Sequence, residues 1–348
     1  MRIWIDIRNL SLEQRNFCWA FLEYFQMKNE ENILNIYSNT EFDGMKIIKS
    51  SHFNGIFWEQ ILFLKRLFQD KNDLVLTFND TFPIFYHKRY IQCIVSLEKL
   101  LYPNVAWAWT FQKHSYQWIL KTNLKKAEKI LCFDEKMKKD INEKLNIDES
   151  KIEIITWFFY DFVKEKSENE ISINVQQKYS FTGKYFIYDS EIGNNKNIKR
   201  LLESLAKTQH TLIFIGNKIS SDLETREIIL KLWIKNQVIF IWYLEWYELA
   251  SYYTQSAWVI FPLLYTSFPF SLNNALAFNT KILSSDIDEV QDILWEKAFY
   301  FSPISSIEMI KIMNDVSLLE KIEINYDEIK TKYSCENFIT QLKMICQI

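Results

Sequence analysis

The stretch from Val238 to Leu283, VIFIWYLEWYELASYYTQSAWVIFPLLYTSFPFSLNNALAFNTKIL, decides the fold. Val238–Ile241 is a short apolar run of strand length, too brief for a helix of its own. Glu248–Gln255 reads as a helix, Val259–Phe261 as a second strand closed by Pro262, Leu272–Phe278 as a second helix and Lys281–Leu283 as a third strand. Strand and helix in strict alternation imply a parallel sheet, because each crossover helix returns the chain to the end where the previous strand began.

Outward from that stretch the pattern continues. Tyr185–Tyr188 and Leu212–Ile215 read as strands, with helices at Ile198–Ala206 and Leu223–Leu232 between them and the quoted segment. Nearer the start, strands are expected at Ile3–Ile7, Leu34–Tyr37, Asp73–Thr77, Cys93–Leu97, Ala127–Cys132 and Ile152–Ile155. His52–Phe68 carries apolar residues at three- and four-residue spacing, the stripe of an amphipathic helix, and Tyr116–Lys126 and Glu135–Leu145 also read as helices. The stretch 164–178, KEKSENEISINVQQK, is polar and aperiodic and interrupts the alternation. The expected organisation is an α/β chain of two Rossmann-like, doubly wound domains: 1–163, a linker at 164–180, 181–320, and a helical segment at 321–348 that crosses back to the first domain. Two such domains suggest a cleft with a ligand between the carboxyl ends of both sheets.

Composition excludes several classes. The 348 residues suffice for two cores, and a net charge of -3 gives no pull toward nucleic acid or anionic lipid. Basic runs at 121–129 and 136–144 are interleaved with Glu128, Asp134, Glu135, Asp140 and Glu143, the pattern of a solvated helix face. The five cysteines are scattered without a C-x-x-C pair and the four histidines stand at no ligand spacing, so neither a metal centre nor a disulfide framework is expected. A reducing cytoplasm fits that cysteine usage. No apolar stretch reaches the roughly 20 residues that span a bilayer, and the opening MRIWIDIRNL reads as a first strand rather than a signal peptide.

The second half resembles the family-4 glycosyltransferases (glycosyl transferases group 1), in the order of its elements, in SSDIDEV at 284–290 and in AFYFSP at 298–303. The first half adds MRIWIDIRNL as the opening strand, FWEQI at 57–61 and KKAEKILCFDEKMKKDI at 125–141. The resemblance implies a GT-B architecture, two Rossmann-like domains facing across a cleft. It also implies transfer of a sugar from a nucleotide-sugar donor to a glycan or lipid-linked acceptor in cell-surface polysaccharide biosynthesis. Retention of anomeric configuration, no metal and no cofactor beyond the donor substrate follow from the same resemblance, and a cytoplasmic chain with peripheral membrane contact is compatible with it. Such chemistry needs N–H groups and a cation on the diphosphate and carboxylates on the sugar hydroxyls.

In the family, one glutamate lies in the loop after the proline-ended strand and a second lies eight positions on. Here those positions read Thr266 and Asn274, neither of which carries charge. Carried over position by position, the donor-binding set is Lys196, Asn197, Thr266, Ser267, Phe268 and Asn274, with Lys196 on the diphosphate. Glu191, before Gly193, stands near where some relatives carry an arginine, and a carboxylate there would repel a diphosphate. The family's His-Asp pair would fall near Leu97 and Glu98, so its histidine is absent. Each residue also has a plainer reading: Lys196 as a solvated loop lysine, Thr266 as a turn residue, Asn274 as a helix N-terminal residue. The degenerate motif leaves a second function open, a catalytically inactive relative that binds a sugar, a nucleotide or a true transferase.

One count is abnormal: five glycines, where about 7% of a chain is usual, against twelve tryptophans. Trp4, Trp157, Trp233, Trp242 and Trp295 stand where the resembling family has glycine, with Trp246 and Trp258 as further candidates, whereas Trp58 matches a family tryptophan. A gene whose code reads UGA as glycine would produce this pattern when translated with UGA as tryptophan. The expectation is then bulky rings in tight turns, with backbone strain or unusual exposure.

Overall fold

A computed structural model describes residues 2–8, 17–18, 20–25, 33–38, 47–49, 58–101, 110–159, 173–190, 196–216, 222–242, 244, 246–265, 272–315 and 324–347. The chain divides into two units, Met1–Phe158 with Tyr333–Ile348, and Phe159–Lys332.

The first unit holds a seven-stranded sheet in the order β3-β2-β1-β4-β5-β6-β7. Its strands are β1 (Arg2–Asp6), β2 (Ile33–Ser38), β3 (Ile47–Lys49), β4 (Leu74–Thr77), β5 (Tyr90–Cys93), β6 (Lys129–Cys132) and β7 (Ile152–Ile154). The second unit holds six strands in the order β10-β9-β8-β11-β12-β13. These are β8 (Tyr185–Asp189), β9 (Thr211–Ile215), β10 (Val238–Ile241), β11 (Trp258–Phe261), β12 (Ile282–Ser285) and β13 (Phe299–Phe301). Every described strand pair is parallel. Both sheets begin in the middle and run first to one edge and then to the other. The strand order therefore reverses beside β1 and β4 in one and beside β8 and β11 in the other, and ligands seat at the carboxyl ends of such switch points.

Burial explains why the strands read as apolar runs without alternation. Leu74, Val75, Leu76 and Thr77 are all buried, as are Trp258 to Phe261, so both faces of these central strands are covered. The Ile198–Leu205 helix places Ile198, Leu201, Leu202 and Leu205 on one face, in a core with Phe186, Leu212, Ile260, Met309 and Met313. Truncating Leu202 there would cost about 2–5 kcal/mol. Elsewhere the termini are capped by chemistry visible in the sequence: Asp134 accepts from Met137 N at 2.6 Å at the start of the Glu135–Leu145 helix, and Asn146 ends it in the left-handed region.

Three expectations shift. The strand expected at Cys93–Leu97 lies at Tyr90–Cys93, where Gln92 escapes notice as a core residue because its amide donates to the Asn79 and Asp80 carbonyls. The helix expected at His52–Phe68 is described from Trp58, with a π-helical stretch, Trp58–Phe63, running into the α-helix Leu64–Gln69. At the end of the stretch read as linker, Val175–Tyr179 forms a short helix capped by Asn174, with Gln255 accepting from Val175 N.

Candidate functional site

At the second unit's switch point, β8 ends in Asp189, followed by the buried Ser190. Two side chains from other elements reach the Asp189 carboxylate. Asn274, near the start of the Leu272–Ala277 helix that follows β11, donates its Nδ2 to Asp189 Oδ2 at 2.8 Å. Tyr253, a fully buried residue of the Trp246–Gln255 helix, donates its hydroxyl to the same oxygen. A carboxylate thus sits at this edge, supplied by β8 rather than by the helix after β11, whose motif position is the neutral Asn274. The arrangement is self-consistent: an amide at 274 stabilises the Asp189 charge, whereas a glutamate there would oppose it.

The next element, the Ile198–Leu205 helix, follows Asp189 across 191–195, and its first turn is where N–H groups face the sheet's carboxyl edge. Lys196 stands in the turn before it, half-buried. Asn197 is left-handed (φ 54°) and makes no capping bond with its side chain. Instead its Nδ2 donates to the Pro303 carbonyl at 2.8 Å, and its Oδ1 accepts from Arg200 Nη1 at 2.6 Å. Arg200 also donates to the Pro303 carbonyl at 3.0 Å. Both ends of the Asn197 amide are therefore engaged in tying the helix start to the segment after β13. Arg200 is a cation of this turn that sequence reading missed; its position one turn into an amphipathic helix gave no signal.

Of the sequence-derived donor set, the structure brings Asn274 to Asp189 and places Lys196 and Asn197 at the neighbouring helix start. Thr266, Ser267, Phe268 and Glu191 lie outside the described residues. A pocket of about 560 Å³ does occur in this unit, lined by Lys184, Trp258, Asn279, Thr280 and Lys281 among others. Lys184, Ala257 and Lys281 directly precede β8, β11 and β12, so this pocket lies at the amino ends of the strands, opposite the switch-point edge.

The first unit carries a second polar cluster at its own switch point. Arg8 is buried, with its side chain 1% exposed, and forks onto Asp6 at the end of β1, Nε to Oδ1 at 2.6 Å and Nη2 to Oδ2 at 3.0 Å. Thr77, the last residue of β4, donates to Asp6 Oδ2 at 3.0 Å. Glu59 Oε2 lies 3.8 Å from Arg8 Nη2 and accepts from Thr81 at 3.0 Å. Phe63 packs beneath the guanidinium at 3.5 Å from its ring centre. Burial raises the Glu59 carboxyl above its ordinary value, against the lowering influence of Arg8 and Thr81. The remaining Arg8 nitrogen, Nη1, is buried and finds no acceptor among the described residues. The signal for this cluster was available: two charges, Asp6 and Arg8, inside a run that must be buried have to pair. The family's His-Asp position reads Leu97, buried, at the start of the Glu98–Leu101 helix. Among the described residues, no group of three or more His, Cys, Asp or Glu side chains could hold a metal ion, and no helix is long and apolar enough to cross a membrane.

Residues 172–328, nearly the whole second unit, match the glycosyl transferases group 1 family. This segment is a glycosyl transferases group 1 domain. Among curated proteins, the O-antigen chain mannosyltransferase RfbU of Salmonella typhimurium is 22% identical over 281 residues, covering 78% of this chain and 74% of that protein. Among solved structures, Anabaena Alr3699/HepE in complex with UDP and glucose superposes with a TM-score of 0.80 at 11% identity, over 100% of this chain and 99% of the other. A glycosyltransferase from Rickettsia africae ESF-5 gives 0.72 at 14% identity, over 99% and 97%. WaaG, a glycosyltransferase involved in lipopolysaccharide biosynthesis, gives 0.71 at 14% identity, over 97% and 94%. The fold class is GT-B, built on two Rossmann-like units, as the sequence implied.

Proposed function

We propose that this glycosyltransferase binds a nucleotide sugar at the carboxyl edge of its second sheet and transfers the sugar to a glycan or lipid-linked acceptor of cell-surface polysaccharide. The observation that carries the reading is the Asp189 carboxylate, fixed by Asn274 and Tyr253 beside the start of a helix preceded by Lys196. A carboxylate so placed accepts short hydrogen bonds from sugar or ribose hydroxyls. The helix N–H groups and the Lys196 ammonium suit the diphosphate, whose leaving charge they stabilise as the bond to the sugar carbon breaks. The UDP and glucose in the HepE complex and the O-antigen chain of RfbU are consistent with this substrate class. Retention of configuration without a metal, as the family resemblance implies, is part of the same proposal.

Isothermal titration against UDP-, GDP- and dTDP-sugars tests it. Saturable binding by one donor, weakened at least tenfold in Asp189→Asn and in Lys196→Met, supports the site. Binding that both variants leave intact refutes it. Binding of a donor without turnover toward any acceptor or water would instead support the non-catalytic reading of the degenerate motif.

A further inference from the structure

Eight non-glycine residues of the described chain have positive φ. Asn146, Asn197 and Asn279 belong to the residue type that tolerates this region best, and Lys71, Ser180 and Gln347 sit in ordinary left-handed turns near φ 50°. The remaining two are Trp233 (φ 59°) and Trp295 (φ 45°), the bulkiest side chains in the places least suited to them.

The backbone at Trp233 forms the left-handed helix-end turn that glycine fills most easily, a turn taken elsewhere in this chain by the smaller Ser180 and Asn279. At the end of the Leu223–Lys231 helix, Trp233 N donates to the Leu230 carbonyl at 3.2 Å and Ile234 N donates to the Ile229 carbonyl at 3.2 Å. These are the paired bonds of a Schellman motif, with Trp233 at the position glycine normally fills. Its indole gains nothing in return, because Trp233 is 93% exposed. Trp295 closes the Asp288–Leu294 helix at φ 45°, ψ −125°, with its N–H on the Gln291 carbonyl. That pair of angles is not the left-handed helical well that asparagine visits. It matches the first central position of a type II′ turn, a conformation reserved almost wholly for glycine because any Cβ clashes with the backbone.

Among the described residues Trp295 gains only the Lys332 ammonium, 4.4 Å from its ring centre, whereas other tryptophans are held by packing. Trp58 stacks on Phe63 at 5.5 Å between ring centres, and Trp258 is buried to 1% exposure against Phe299, where a glycine would leave a large void. These are tryptophan sites by packing, and Trp258, a candidate from sequence, drops out. Trp4 and Trp157 are also buried and stacked, on Tyr37 and Tyr333, so packing does not set them apart from genuine tryptophans.

We propose that the native polypeptide carries glycine at positions 233 and 295, and that the gene specifies both with UGA codons read as glycine. Reading these two positions as glycine raises the count from five to seven, a shift toward ordinary composition. Two turns written with the wrong side chain then become ordinary glycine turns, and the protein made in a host that reads UGA as tryptophan is a strained form of the native one.

The codons and the native peptide test this together. The expected result is UGA at 233 and 295 with UGG at 58 and 258, and a tryptic peptide Ile282–Lys297 from the source organism whose mass carries glycine at position 295. UGG at 233 and 295, or a native peptide with the tryptophan mass, overturns the proposal. In recombinant protein the variant Trp233→Gly/Trp295→Gly is expected to unfold at a higher temperature than the tryptophan form. An equal or lower midpoint would contradict the reading of these turns.

Discussion

Replacing Asn274 with aspartate is nearly isosteric, so it perturbs the proposed donor site through charge alone. The amide now donates to Asp189 Oδ2 at 2.8 Å. Asn274→Asp removes that charge-assisted bond, worth about 1.5–3 kcal/mol, and sets two carboxylates against each other. At roughly 4 Å between charge centres and an effective dielectric of about 20, their repulsion is about 4 kcal/mol. Relief comes from protonating one of the pair, which near pH 7 costs an ordinary carboxyl about 4 kcal/mol as well, at ~1.36 kcal/mol per pH unit. Because the site is only partly buried, we expect a net loss of about 3 kcal/mol at neutral pH. In a unit of this size that lowers the thermal midpoint by about 6–12 °C. The loss has a pH signature: as pH falls from neutral to acid, one proton is taken up and shared between the oxygens, and the variant approaches the wild type. Thermal or urea unfolding at neutral and acid pH measures it, with Asp189→Asn/Asn274→Asp as the control that removes the like charges. If Asn274→Asp is as stable as wild type near pH 7, or if the double variant is no better than the single, Asp189 and Asn274 do not interact as described.

The first unit offers two further tests. Arg8→Ala leaves Asp6 and Glu59 buried without their cation, and is expected to destabilise the protein by about 3–5 kcal/mol in equilibrium unfolding. Glu59 has its folded value raised by burial above the ordinary value near 4.5, so the stability linked to its protonated form is present below that ordinary value and is lost as pH rises through the folded one. Glu59→Gln, which keeps the neutral form, should therefore gain on the wild type as pH rises from about 4 toward neutrality, and a pH-independent difference would contradict this. In the second unit, Tyr253→Phe removes one donor to Asp189 and is expected to cost about 1–3 kcal/mol and to weaken nucleotide-sugar binding.

Much of the fold was legible because buried parallel strands must be short apolar runs and crossover helices must be amphipathic. The Glu135–Leu145 helix and the Val238–Ile241 strand fall where the sequence places them. What escaped were elements whose burial is carried by atypical residues. Gln92 hides in β5 behind two carbonyl bonds, and the three-residue strands Ile47–Lys49 and Phe299–Phe301 are too short to show periodicity. The site was legible in outline only. Asn274 was found because its position in the motif was fixed, but its partner Asp189 lies just past the strand read at Tyr185–Tyr188 and carried no signal of its own. No pattern in one chain reveals that a strand end and a distant helix start share a hydrogen bond. Asn197 was read as a ligand when its amide is engaged in joining the helix start to Pro303, a contact spanning more than a hundred residues.

A crystal structure of the chain with its bound nucleotide sugar tests the account most directly. The diphosphate is expected against the first turn of the Ile198–Leu205 helix within reach of Lys196, and a sugar or ribose hydroxyl on Asp189. A donor seated elsewhere, for instance in the pocket beside Lys184 and Lys281 at the opposite end of the same sheet, would contradict it.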